Sequence, residues 1–297
     1  ARPNVMTYNA VCNALAKSEE EGAAERALEI LEGMEKGGDE DVRPDVYTYT
    51  SVIDALARRG TKERATKAKE MLQRMEDKYR RTGDARIKPN VRTYTGVINA
   101  VSKAGGDPRE AEEVLATMEA RARGGDGTGD GDADVRPDAV CYNSVLSAWA
   151  RSDDANKARR AEELYERMLR LWESGENASA RPDLISTNAL LNACAHSRPE
   201  TAEERSEIVE IAVKAVERLR LRDPDLGRPN SVTYSTALLT LANHMDSTDP
   251  LRDELASNLF QRCCRDGCAN GMAVSAFLRA AEKGTAARLL GGALLEE

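Results

Sequence analysis

Six polar side chains recur at one place in a repeated segment of this chain: Asn9, Thr50, Thr95, Asn143, Asn188 and Ser235. A second set closes the same segments, comprising Asp45, Asn90, Asp138, Asp183, Asn230 and Asn270. A third is cationic: Lys17, Arg58, Lys103, Arg151 and His196, with Lys283 at the same place in a degenerate final copy and Asn243 breaking the series. Amides, hydroxyls and carboxylates in this regular spacing suit hydrogen-bonded recognition of a repeating ligand. They do not suit bond-making chemistry. No Ser/His/Asp or Cys/His/Asp constellation stands out, the chain has only two histidines, and no glycine-rich phosphate loop lies between a strand and a helix.

The positioning elements follow from the repeat. Segments like Arg43-Pro44-Asp45-Val46-Tyr47-Thr48-Tyr49-Thr50 open at Val5, Val46, Val91, Ala139, Leu184 and Ser231, and a degenerate copy opens at Gly271. The starts are 41, 45, 48, 45, 47 and 40 residues apart, a period that predicts a stacked array rather than one globular core. Repeats are expected over 5–45, 46–90, 91–138, 139–183, 184–230 and 231–270, with a partial repeat over 271–283 and a helical cap over 284–297. Arg2-Pro3-Asn4 reads as the tail of a preceding repeat, so further sequence is expected upstream.

Within each repeat the pattern predicts two helices. Asp45 reads as the N-cap of a first helix that carries Val52, Ile53 and Leu56 and ends near Arg59-Gly60. A second helix is expected from about Glu63 to Tyr79. Its apolar stripe Ala68, Met71, Leu72, Met75 returns as Ala27, Ile30, Leu31, Met34, as Ala111, Val114, Leu115, Met118, and as Ala161, Leu164, Tyr165, Met168. Ala14, Ala55, Ala100, Ala148 and Ala193 share one place in the first helices, where a small side chain lets neighbours approach closely. The expected fold is all-α, an α-solenoid of antiparallel helix pairs wound as a right-handed superhelix. A residue one step beyond the buried tyrosine is expected on the open face of the first helices.

Composition agrees with thin amphipathic layers: of 297 residues, 4% are aromatic and 32% charged. No apolar stretch approaches the length that spans a bilayer, and no membrane association is expected. The six cysteines, Cys12, Cys141, Cys194, Cys263, Cys264 and Cys268, read as reduced, buried thiols of an intracellular or organellar protein. Cys263, Cys264 and Cys268 with His244 fit no usual zinc spacing, and the Gly124–Ala133 run lacks the turn glycine and closing glutamate of a calcium loop, reading instead as a disordered insertion. No metal and no cofactor is expected.

The pattern (Pro-Asp/Asn)-Val-x-Thr-Tyr-(Asn/Thr), a cation ending the first helix, and a following Ala-x-x-(Leu/Ile)-Leu-x-x-Met helix resemble the pentatricopeptide repeat family over nearly all of residues 2–283. The resemblance implies an organellar protein, mitochondrial or chloroplast, that binds single-stranded RNA with one base per repeat along the first-helix face. It also implies no catalysis by the repeats themselves and a monomer acting in RNA processing, stabilisation or translation. A carboxylate only accepts hydrogen bonds and suits the ring N–H of uracil or guanine, whereas an amide can donate to the bare ring nitrogen of cytosine or adenine. In the family, Asn at the preceding helical place goes with pyrimidines and Thr or Ser with purines. Carried over, Asn9 with Asp45 resembles a uracil reader, Thr50 with Asn90 an adenine reader and Thr95 with Asp138 a guanine reader. Asn143 with Asp183 suggests uracil, Asn188 with Asn230 cytosine and Ser235 with Asn270 adenine, so the implied target contains U-A-G-U-C-A.

The family also wedges bases between residues one place after each repeat start, here Met6, Tyr47, Arg92, Val140, Ile185 and Val232. The cations Lys17, Arg58, Lys103, Arg151 and His196 lie eleven residues further on, close to three helical turns, so both rows should share a face and the cations should meet phosphates. Against this stands a net charge of -8. Ten acids fall in Glu19–Glu21, Asp39–Asp41 and Asp126, Asp130, Asp132 and Asp134, which read as loops away from the groove and without which the balance is +2. Two other readings are a protein-binding scaffold with an acidic surface and the RNA-gripping arm of a processing enzyme such as a protein-only ribonuclease P. A scaffold predicts acidic or apolar residues in place of the cation row, and an enzyme predicts a cluster of metal-binding aspartates beyond the residues given.

Overall fold

Proline followed by Asp or Asn sets the start of each helix pair. In the computed structural model, which describes residues 2–37, 39–124, 132–221 and 227–291, the first helices are α1 (Val5–Lys17), α3 (Val46–Arg58), α5 (Val91–Lys103), α7 (Ala139–Arg151), α9 (Leu184–Ala195), α11 (Ser231–His244) and α13 (Gly271–Ala280). The second helices are α2 (Ala23–Lys36), α4 (Lys62–Thr82), α6 (Pro108–Ala122), α8 (Lys157–Glu173), α10 (Ala202–Leu221), α12 (Pro250–Arg265) and α14 (Lys283–Leu290). No strand occurs among the described residues, and the architecture is that of an α-solenoid of antiparallel helix pairs. No helix is long and apolar enough to cross a membrane.

The chain divides into two compact units, Ala1–Ala148 and Trp149–Glu297. In the first, α1, α3 and α5 pack side by side, with α2, α4 and α6 behind them. In the second, α9, α11 and α13 form the row, with α10 and α12 behind. Ala55, Ala100, Ala148 and Ala193 are buried as their shared place predicts, whereas Ala14 on α1 is exposed. Gly96 carries the same logic further, because a Cβ there would meet Ile53 Cγ2 at 2.8 Å across the α3–α5 contact. Gly60, at φ 32°, turns α3 into α4 so close to Lys103 that a Cβ would lie 2.4 Å from its carbonyl oxygen.

A buried tyrosine ties α3, α5 and α7 each to the second helix before it, and ties α11 to Asp266 at the end of the second helix after it. Tyr49, Tyr94, Tyr142 and Tyr234 are fully buried, and their hydroxyls donate to Glu35, Glu76, Glu119 and Asp266. Burial, reinforced by the neighbouring carboxylate, holds Tyr49 and Tyr94 well above the ordinary phenol pKa, so both stay donors. The fifth repeat differs, with Thr187 in the tyrosine's place. There Tyr165 of α8 supplies the aromatic ring, its hydroxyl 3.2 Å from Thr187 Oγ1. Leu169 stands where Glu35, Glu76 and Glu119 stand in other repeats, so no buried carboxylate is left without its donor.

The second helices are also joined to one another by ion pairs between successive repeats: Arg64 with Glu25 at 2.9 Å, Arg74 with Glu35 at 3.1 Å, and Lys69 with Glu110. Much of the chain's acidity is therefore spent on the second-helix layer. The residues beyond the usual family length lie in the long second helices, such as the 21-residue α4, and in a recurrent 3₁₀ turn at Glu40–Val42, Ala85–Ile87, Ala133–Val135 and Ala178–Ala180. Asp39, Asp84, Asp132 and Asn177 each accept a backbone N–H two residues on, at 3.0–3.1 Å, which closes these turns. This Asx-x-x-apolar-basic-Pro signature is visible in the sequence once the turn is known. Most of the Gly124–Ala133 run and residues 292–297 of the expected cap lie outside the described residues.

Candidate nucleic-acid interface

Capping chemistry places the polar sets. Asn4, Asp45, Asn90, Asp183 and Asn230 are N-caps in extended backbone, each accepting the N–H of a residue three positions on while that residue's hydroxyl takes the cap's own N–H. The partners Thr7, Thr48, Thr93, Ser186 and Thr233 form an Asx-x-x-Thr/Ser pattern that the sequence carries and that fixes the side-chain direction of the cap. Asp138 accepts from the Cys141 N–H at 3.0 Å and Asn270 from the Ala273 N–H at 3.1 Å.

Contrary to the expectation from its place beside the tyrosine, the predicted reading row does not stand on an open face. Thr50, Asn143 and Ser235 are buried, and Asn9, Thr95 and Asn188 are half-buried. Asn9, Thr50, Thr95 and Asn188 lie in the seams between neighbouring first helices and touch the residue three past the next cap. Asn9 Nδ2 donates to both oxygens of Asp45, at 3.0 and 3.1 Å, and the Thr48 hydroxyl donates to Asn9 Oδ1 at 2.5 Å. Thr50 and Thr93 hydroxyls meet at 3.0 Å. Thr95 Oγ1 lies 3.0 Å from Cys141 Sγ, and the Thr233 hydroxyl donates to Asn188 Oδ1 at 2.8 Å. Ser235 turns back on its own helix and donates to the Ser231 carbonyl at 2.6 Å. The residue three past each cap is thus a link between the two predicted sets that sequence spacing alone does not expose.

Beside these seams runs an apolar row that faces outward. Met6 is 74% exposed, Tyr47 70%, Val140 55%, Ile185 62% and Val232 42%. Met272, at the same place in the partial repeat, is also exposed and extends the row. Arg92 breaks it, held by Asp54 at 3.1 Å. In the first unit, Met6, Asn9, Asp45, Tyr47, Asn90 and Arg92 line one groove of about 460 Å³, within the range of small-ligand sites. Large apolar side chains are ordinarily found inside, so a periodic exposed row is informative where a single exposed one is not.

Models of two families match the chain: the PPR repeat family over residues 3–58 and the pentatricopeptide repeat domain over residues 38–81. Residues 3–81 therefore carry pentatricopeptide repeats. Among solved structures it is similar to the crystal structure of the pentatricopeptide repeat protein PPR10 from maize, at 18% identity and a TM-score of 0.33, over 98% of this chain and 48% of that one. The chain therefore spans about half the length of that protein. No curated protein matches it.

The cation row needs two corrections. Lys17, Arg58, Lys103 and Arg151 end α1, α3, α5 and α7, and His196 is the residue after α9, its Nδ1 donating to the Asn192 carbonyl at 3.0 Å. Lys283 is not on a first helix: α13 stops at Ala280, and Lys283 opens α14 after an extended turn at Ala281 and Glu282. The acidic loops are not all remote either. Glu19 accepts from Arg58 at 3.0 Å and lends its carbonyl to Arg59, and Asp132 and Asp134 hold Lys88. Glu19 lies in the turn between α1 and α2, and Asp132 and Asp134 lie in the turn that follows α6.

The cysteines hold no chemistry that the array would use. Cys12, Cys141, Cys194 and Cys263 are buried, and burial pushes their thiols up to about 11 for Cys12 and about 12 for the other three, opposite to what a nucleophile needs. Cys264, expected to be buried, is exposed, and Cys268 lies past the end of α12, because α12 turns its Ala256, Leu259, Phe260, Cys263 face inward. No group of three or more His, Cys, Asp or Glu is placed to hold a metal ion among the described residues.

Proposed function

We propose that this pentatricopeptide chain binds single-stranded RNA along its first helices, one base per repeat, with U-A-G-U-C-A as the preferred order, in organellar RNA processing, stabilisation or translation. The observation that supports this most is the groove joining exposed Met6 and Tyr47 to the seam residues Asn9, Asp45, Thr50 and Asn90. Such a groove offers an apolar surface for a base face and a hydrogen-bonding floor for its edge, the two features single-strand recognition requires. Repeats 5–45 through 231–270 each contribute one cap pair and one outward residue, and Lys17, Arg58, Lys103, Arg151 and His196 border them as phosphate contacts.

Selection from a random RNA pool tests the reading, with Tyr47→Ala and Ile185→Ala as variants. Both side chains are largely exposed, so truncation should cost the fold little. Each substitution should weaken binding to the selected RNA by about 1–3 kcal/mol, the cost of one lost base contact. Enrichment of no sequence from the pool, or unchanged affinity in both variants, would remove RNA from the groove.

A further inference from the structure

The unit Trp149–Glu297 contains a second cavity, of about 900 Å³, at the C-terminal ends of α9 and α11 and the loops leading into α8 and α10. Its lining holds the cations Arg151, Lys157, Arg198 and Arg205, the imidazoles of His196 and His244, and one carboxylate, Asp153. Elsewhere in this unit, cations on second helices are matched across repeats: Arg159 sits on Glu207 at 2.6 Å, and Arg218 on Glu166. In the cavity Arg198 and Asp153 stand 3.9 Å apart, with both side chains exposed. Among the described residues no carboxylate lies within ion-pair reach of Lys157 or Arg205.

Lys157 is the informative member. Its side chain is 5% exposed in the first turn of α8, and its ammonium donates to the Ser152 carbonyl at 2.9 Å. An ammonium carries three donors, so two are left without a protein acceptor. Burial, only partly offset by Asp153 and reinforced by Arg198, lowers its pKa below the ordinary lysine value. Helix dipoles explain part of the cluster, since cations at the ends of α7 and α9 face exposed carbonyls. They do not explain Arg205, which lies in the first turn of α10, where the dipole disfavours a cation.

We propose that this cavity is a binding site for a phosphate group of two or more negative charges, a phosphomonoester or a diphosphate, held by Lys157, Arg198 and Arg205 with Arg151 and His196 at the rim. A single phosphodiester charge would leave most of these cations uncompensated, whereas a guanidinium pair and an ammonium suit the several oxygens of a terminal phosphate. The proposal rests on the RNA reading only in that Arg151 and His196 belong to its cation row. The phosphate belongs either to the end of a bound strand or to a free phosphorylated compound.

Titration calorimetry and thermal melting of the full chain with inorganic pyrophosphate test it. Pyrophosphate should bind and raise the melting temperature, and Lys157→Met with Arg205→Gln should lower its affinity at least ten-fold and abolish the shift. Lys157→Met alone removes an unpaired buried charge and should leave the protein at least as stable. Arg198→Gln, at an exposed side chain, should lower affinity several-fold even if the double variant fails to fold. Lack of pyrophosphate binding, or equal binding by the folded variants, overturns the proposal. Strands carrying a phosphate or a hydroxyl at the 5′ or 3′ end identify the source. Tighter binding of a phosphorylated end assigns the site to a strand terminus, and equal binding with pyrophosphate still bound assigns it to a free compound. Pyrophosphate binding without RNA binding would leave this site standing and remove only the RNA reading.

Discussion

The seam between α1 and α3 and the seam between α3 and α5 use the same positions yet offer a ligand opposite hydrogen-bonding faces. In the first, Asp45 caps α3 with one oxygen shared by the Thr48 N–H, and its remaining lone pairs face Asn9 and the groove. Only acceptors are available there. In the second, Asn90 caps α5 through Oδ1, at 3.2 Å from the Thr93 N–H, and its Nδ2 has no partner among the described residues. That amide presents two donors. Because Asp and Asn cap a helix about equally well, the groove can change its hydrogen-bonding sense with no cost to the helix beneath it.

The largest expected effect comes from exchanging the two caps. Asp45→Asn together with Asn90→Asp should turn the first two positions from U-A to C-G, moving discrimination by about 1–3 kcal/mol at each. Competition between U-A-G-U-C-A and C-G-G-U-C-A measures it, and thermal unfolding should move by less than about 0.5 kcal/mol. An unchanged preference with intact binding would return both residues to helix capping alone.

The next effect separates the seams by their internal bonds. Thr48→Val leaves the Asn9 carbonyl without its 2.5 Å donor in a half-buried seam, and should cost about 1–3 kcal/mol of stability. Thr93→Val should cost less, about 0.5–1.5 kcal/mol, because the Thr50 hydroxyl can rotate onto its own helix, as Thr95 does on the Val91 carbonyl at 2.7 Å. Chemical denaturation of both variants decides this. Equal losses would mean that the two seams are equivalent.

The smallest effect concerns the helix ends bordering the seams. Lys103→Gln should flatten the salt dependence of RNA binding by a slope of about 0.7. Arg58→Gln should change it less, since Glu19 already holds Arg58 at 3.0 Å and competes with a phosphate for it. Binding isotherms at several salt concentrations give both slopes, and an equal change would show that Glu19 yields freely.

The sequence by itself determined the helix pairs, their starts, their caps and the outward row. Each follows from short-range rules: proline and an Asx cap set where a helix begins, and a 3.6-residue period sets which side is apolar. Met6, Tyr47, Val140, Ile185 and Val232 were legible through the family resemblance, which implies an outward place one residue after each repeat start, and their exposure depends on their own helix. Only the tertiary structure decided what lies across a seam. Asn9 meets Asp45 and Thr48, some forty residues away, through helix packing that no local pattern encodes, and the same packing buries Thr50 and Ser235, which local position had placed in the open. It likewise pairs Tyr165 with Thr187 where the repeat tyrosine is missing, and gathers Lys157, Arg198 and Arg205 around one cavity. Repeat period fixes equivalence between positions, but distance and burial between unlike positions come from how close two helices can approach, and that is set jointly by side chains such as Gly96 and Ile53 on different repeats.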